Sequence, residues 1–201
     1  MMEATAPVFE EIYRDYLAQL ESGWAGLDIE GLGVARQGGA ILVPFYGQIH
    51  RVEPAGIRGP EGEKPSHARC VVLAKYLLGR PRGTGPTGQW VSYRGFKDAA
   101  PYAASFAQYA EGRIAKAFAT RGADLAKACQ DLGATEPQSE LSYDICLELK
   151  PLPRVPILLL FNGQEDGFPA ACSLLCDESA PEYLDMECLA MLGLILAEAL
   201  I

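Results

Sequence analysis

Histidine is scarce in this 201-residue chain: it occurs only as His50 and His67. A centre built on three imidazoles is therefore excluded, and metal chemistry would have to rest on carboxylates or thiols. Positive charge is also short, with 17 Lys and Arg against 26 Asp and Glu and a net charge of −9. A surface of that sign repels phosphate backbones, so no nucleic-acid partner is expected. No apolar run reaches the roughly 18 residues a membrane-spanning helix needs. The nearest, Cys188 to Ala197, is followed at once by Glu198 and reads as a buried helix. The opening residues carry acids early, with no basic stretch and no apolar core, so neither a secretory signal nor a membrane location is expected. Internal repeats and low-complexity tracts are absent too.

What is present is the composition of a folded domain, 49% apolar and 21% charged. Phe9, Ile12, Tyr13, Tyr16, Leu17 and Leu20 recur with helical period, which predicts an opening helix closed by Gly23. Short strands are expected at Gly31 to Arg36, Ala40 to Tyr46 and Gln48 to Glu53. Gly38-Gly39 turns the first into the second, and Pro44 places the second at an edge or a bulge. Residues 54–65, rich in proline and glycine, read as a loop. A helix from Ser66 to Leu78, apolar all round from Cys70 except at Lys75, belongs at the centre.

A second glycine-rich loop, 80–88, leads to a strand from Trp90 to Phe96. Asp98 is expected to cap a helix carrying Tyr102, Phe106, Tyr109, Ile114 and Ala117 on its apolar face, with Pro101 in its first turn. Next come a helix from Ala123 to Asp131 and strands at Ser142 to Leu149, Val155 to Asn162 and Ala170 to Cys176. Ser179-Ala180-Pro181-Glu182 has the form of a capping box opening the last helix. Strands in two groups without βαβ alternation point to the α+β class: a single domain over residues 1–201, with a mostly antiparallel sheet covered by helices.

The six cysteines, at 70, 129, 146, 172, 176 and 188, form no CxxC pair and lack the density of a secreted disulfide framework. Reduced thiols in the cytoplasm are expected. Cys172 and Cys176 would stand about 13 Å apart on a strand, too far for one zinc ion, and their alternation with Leu174 reads as core packing; no metal site is expected. His67 and Cys70 are three apart on one helix, but Cys70 opens its buried face. Loop 79–88, with Arg80, Arg82, Arg94 and Lys97 nearby, is the most basic stretch. Its amides and guanidiniums suit a small phosphate or carboxylate, although the spacing matches neither the P-loop nor the dinucleotide fingerprint.

Trp90, Tyr93, Arg94 and Arg154 are the candidate ligand- or partner-contacting residues. Glu165 and Asp166, after one buried strand, and Asp177, after the next, are candidate carboxylates for acid–base work or for a divalent cation. The plainer reading makes residues 164–167 a hairpin turn and Asp177 a polar strand end.

Residues 153–184 carry a further pattern. Leu152, Pro153 and Pro156 precede an apolar strand; Glu165 and Asp166 form an acidic turn; Phe168-Pro169, a strand ending at Asp177, and Tyr183-Leu184 follow. Upstream stand Tyr76-Leu77 and Gly88, Trp90, Ser92, Tyr93 and Arg94. In these residues the chain resembles a prokaryotic family of unknown function, frequent in anaerobic bacteria and archaea. Gly167 departs from that family's pattern, in which an acid usually stands there. Some relatives carry an iron–sulfur-like, cysteine-rich segment that has no counterpart here. The resemblance implies no activity and no particular cofactor. The resulting expectation is a cytoplasmic, non-catalytic accessory domain that binds a small anionic ligand or a protein partner. The alternative is a carboxylate-based, divalent-metal-dependent enzyme acting on a small anionic substrate.

Overall fold

A computed structural model of the chain describes residues 7–79, 83, 85–137 and 142–201. Helix α1 (Pro7–Gly23) presents Ile12, Tyr13, Tyr16, Leu17 and Leu20 inward, as its period requires. The strand expected from Gly31 to Arg36 is largely a turn. Asp28 Oδ1 accepts from the Gly31 amide (2.9 Å), Leu32 donates back to the Asp28 carbonyl, and Gly33 takes φ +67°. The short polar side chain of Asp28 thus competes with the extended backbone and wins. Only Ala35–Gln37 remains as β1.

Strands β2 (Ala40–Phe45), β3 (Gln48–Glu53) and β4 (Gly56–Arg58) complete a four-stranded antiparallel meander in chain order. β4 lies within the segment expected as a loop. Gly38-Gly39 makes the turn assigned to it, both residues at positive φ. Pro44 sits in a central strand, yet β1 pairs only with Ala40–Leu42. Phe45↔Gln48 closes a two-residue loop, so the Pro44 nitrogen faces away from β3, toward the side β1 does not reach. The missing N–H costs no ladder bond there.

Helix α2 (His67–Leu78) is central as expected, with Cys70 to Ala74, Tyr76 and Leu77 all buried. The strand expected to Phe96 stops early: β5 is Trp90–Ser92, followed by a 3₁₀ turn at Tyr93–Gly95. Asp98 does not cap the next helix. It sits at φ +68°, and α3 (Ala100–Phe106) starts without a side-chain cap. A π-helical turn, Ala107–Glu111, joins α3 to α4 (Gly112–Ala117), and α5 (Gly122–Asp131) follows.

Strands β6 (Ile145–Leu152), β7 (Val155–Asn162) and β8 (Ala171–Asp177) form with β5 a second antiparallel sheet, ordered β5-β8-β7-β6. The strands therefore make two sheets within one α+β domain. The expected capping box is also overturned. Ala180–Glu182 is a 3₁₀ turn, and α6 (Met186–Leu200) is capped by Asp185, whose carboxylate accepts from the Cys188 amide at 2.9 Å.

α6 is buried on nearly every side and joins the two halves. Tyr46, in the β2–β3 turn, donates its amide to Pro151 (3.1 Å) and its hydroxyl to the Leu192 carbonyl of α6 (2.7 Å). A Cβ at Gly193 would collide with the Phe106 ring, so glycine there sets how closely α6 approaches α3. One continuous core cluster runs through α1, α2, α6 and the inner faces of both sheets. No helix of the described residues is long and apolar enough to cross a membrane.

Candidate functional site

Asp177 ends β8 with no exposed surface. Its carboxylate accepts from the amides of Ser179 (2.9 Å), Thr87 (3.1 Å) and Gly88 (2.6 Å) and from the Ser179 hydroxyl (2.6 Å). Burial alone would raise its pKa, but these donors outweigh burial and hold the carboxyl below the usual range. Asp177 is thus an anchor that fastens the end of the glycine loop to the sheet.

Glu165 and Asp166 stand elsewhere. Glu165 and Phe168 exchange backbone hydrogen bonds across Asp166-Gly167, with Gly167 at φ +86°, so this is the hairpin tip between β7 and β8. Both acids are exposed. Asp177 lies at the opposite end of β8; six strand steps separate Ala171 from Asp177, about 20 Å. The three carboxylates do not converge.

The cysteines pack as their alternation predicts. Cys172 and Cys176 lie on the inner face of β8, opposite Phe161 and Ile157. Burial pushes the thiol of Cys70 up to about 11 and those of Cys129 and Cys176 to about 12. The Cys70 thiol donates to the Pro65 carbonyl, while His67 stacks on Phe9 with ring centroids 4.4 Å apart. Those two residues are not a nucleophile–base pair. Among the described residues no three His, Cys, Asp or Glu gather as metal ligands.

Of the aromatic and basic candidates, Tyr93 is structural. It is buried, stacks on Phe106 at 4.3 Å, and donates its hydroxyl to the Met186 carbonyl at the start of α6 (2.6 Å). Trp90 is half-buried; as the partner of Asp177 it projects from the face of the sheet opposite Cys176. Arg94 is exposed, and its charge acts on the carboxyl of Glu111. Arg80 and Arg82 lie outside the described residues.

Arg154 stands in the turn between β6 and β7, where four segments meet. Its Nε donates to the Gly31 carbonyl (3.1 Å), its Nη2 to Glu30 (3.2 Å), and its amide to the Tyr76 hydroxyl (3.2 Å), which itself donates to Leu32 (2.6 Å). Nη1 faces the glycine loop: a Cβ on Gly85 would lie 3.2 Å from it, and Gly85 holds φ +127°. Beside Tyr76, at 6.4 Å between centroids, lies Tyr183. Its hydroxyl is buried and has no partner among the described residues. Burial raises that phenol's pKa and the Arg154 charge pulls it partly back. Arg154 was legible as a basic residue after a buried strand. Tyr183 was not, because an orphaned hydroxyl is a property of packing.

An α+β domain with a buried carboxylate anchor and an arginine–tyrosine junction under a glycine loop is the class this geometry defines. The chain belongs to the family described as Domain of unknown function (DUF3786), whose model matches residues 29–199. No curated protein and no solved structure matches it.

Proposed function

We propose that this chain is a non-catalytic binding domain for a small, singly charged anion, a carboxylate by chemistry, held between Arg154, Tyr183 and the glycine loop at Gly85. The observation that carries the reading is the Tyr183 hydroxyl, buried and unpartnered beside a guanidinium whose Nη1 has no acceptor among the described residues. A buried hydroxyl without a partner costs about 1–3 kcal/mol, which a bound acceptor would recover. Glu182, Asp177 and Asp28 add negative charge around Tyr183. That surplus disfavours a phosphate dianion and leaves a monoanion as the better fit.

Trp90 flanks the same loop and supplies an apolar wall for the ligand's carbon skeleton. Arg94, exposed on the turn after β5, is assigned to drawing anions toward an otherwise acidic surface. The six free thiols support a reducing compartment, hence the cytoplasm. The resemblance in residues 152–184 supports a prokaryotic, anaerobic source.

Titration of the isotopically labelled protein with sodium formate, sodium acetate and inorganic phosphate tests this. Formate or acetate should shift the Gly83, Gly85 and Tyr183 amides at millimolar concentration and phosphate should do so less. Tyr183→Phe and Arg154→Gln should each weaken carboxylate binding roughly tenfold, equivalent to about 1.4 kcal/mol. Tyr183→Phe removes no intramolecular hydrogen bond and so should fold normally. Unshifted amides, or equal binding by both variants, would overturn the assignment.

A further inference from the structure

Two cavities meet where β7 turns into β8. One, of about 510 Å³, runs past Gly122, Ala123 and Ala126 of α5 and the side of Phe161. The other, of about 460 Å³, runs past Asn162, Glu165 and Phe168. Asp144 and Gly163 line both, so the two form one groove across the end of the second sheet. It is distinct from the arginine–tyrosine junction, which lies at the Asp177 end of β8.

Three features define what the groove accepts. Its ionisable lining is acidic: Asp144 and Glu165 contribute carboxylates, and among the described residues no basic side chain lines it. Among the described residues only Oδ2 of Asp144 accepts a hydrogen bond, from the Gly163 amide at 2.7 Å. Large apolar side chains stand in water beside it, Phe168 at 74% and Tyr143 at 43% exposure. Exposed aromatics at a groove mark an interaction surface. The wall at the start of α5 is made of small residues, so a main chain can come close. Asp124 already donates its amide to the Arg121 carbonyl (3.1 Å), whereas the amides of Gly122 and Ala123 have no acceptor among the described residues and can donate to the carbonyls of an extended chain.

We propose that this groove docks an extended segment of a partner protein that carries basic and apolar side chains. Its Lys or Arg residues pair with Asp144 and Glu165, and its apolar side chains cover Phe168. Charge complementarity selects this occupant: a second copy of a chain with net charge −9 would bring like charge to an acidic rim.

Selection from a phage-displayed random dodecapeptide library, followed by calorimetry on the synthetic peptide that emerges, tests the proposal. The expected consensus combines Lys or Arg with Leu, Val or Phe. The selected peptide should bind the wild type more weakly as salt rises. Phe168→Ala and Glu165→Lys, both at exposed hairpin positions, should each reduce its affinity tenfold or more. No enrichment, an acidic consensus, or undiminished binding to Phe168→Ala would overturn it; the last outcome would mean unspecific attraction to an acidic surface. A wild-type dimer in sedimentation that Phe168→Ala dissociates would also overturn it and assign the groove to self-association.

Discussion

At the scale of single residues, two buried polar side chains have opposite circumstances. The Asp177 carboxylate is surrounded by donors from Thr87, Gly88 and Ser179. Asp177→Asn replaces one acceptor oxygen by an NH₂ that faces those donors. The expected loss is about 2–3 kcal/mol in urea unfolding, since hydrogen bonds to a charged group go and donors are left unpaired. Amide exchange should quicken first at Thr87 and Gly88.

His50 is the reverse case. It is fully buried against Phe45, 5.5 Å between centroids, and neither ring nitrogen has a partner among the described residues. Burial lowers its pKa; the charge of nearby Arg69 acts in the same direction, while the charge of Glu63 opposes it. The unfolded chain therefore binds more protons than the folded one below the ordinary value of 6.5. Protonation of His50 costs the fold nothing above that pH, and stability falls as pH drops through it. His50→Leu should raise stability by about 1–2 kcal/mol at neutral pH and flatten the slope between pH 5 and 7. Urea titrations across that range check it. Asp177 and Asp185, with lowered pKa values, lose their contribution only below the ordinary 3.8, so the two windows separate. An unchanged slope in His50→Leu would assign the effect to His67, also lowered by burial.

At the scale of elements, the π-helical turn Ala107–Glu111 governs the edge of the second sheet. β5 ends at Ser92, opposite Leu175, so the next outward amide of β8 has no strand to meet. The Glu111 carboxylate fills that place, accepting from the Leu174 amide at 2.9 Å. The extra residue of a π turn rotates the following side chains and so aims Glu111 at the strand. Glu111→Ala should cost about 1–3 kcal/mol and accelerate exchange of the Leu174 amide. Glu111→Gln keeps an acceptor and should recover most of the loss.

The same turn explains why the apolar face was misread. Phe106, Ala110 and Ile114 are buried, whereas Tyr109 is 53% exposed. The five-residue step from Tyr109 to Ile114 was the visible trace of the irregularity. Helix α2 and strand β7, by contrast, were plain in the sequence, because each is a dense apolar run, broken after Cys70 in α2 only at Lys75, with Gly79 closing the helix and Pro156 and Asn162 near the two ends of the strand.

At the scale of the whole molecule, the core runs unbroken from one sheet to the other through α6 and α2, and five of the six thiols are buried. Only Cys146 is half-buried. Native protein should therefore yield one thiol to a disulfide reagent, and all six after denaturation. Because burial raises the thiol pKa values, the folded state keeps protons that the unfolded chain loses above the ordinary 9.0. Stability is whole below that pH and falls as pH rises through it toward about 11 and 12, the values for Cys70 and Cys129. Two reactive thiols in the native protein, or a flat alkaline limb, would contradict this.

The amino-acid sequence by itself determined the class of the fold, the central place of α2, the limits of β7, and the glycine turns at 38–39 and 166–167. Each of these depends on apolar period, chain punctuation or positive φ, which are local properties of consecutive residues. Tertiary structure alone decided that the strands split into two sheets and that β5 pairs with β8 some eighty residues later. It also decided that Asp177 serves the loop at Thr87–Gly88 while Asp185 caps α6, and that Glu165 and Asp177 stand at opposite ends of one strand. The orphaned hydroxyl of Tyr183 and the buried ring of His50 belong to the same group. Whether a polar atom finds a partner depends on which distant segments pack beside it, and no spacing along the chain encodes that.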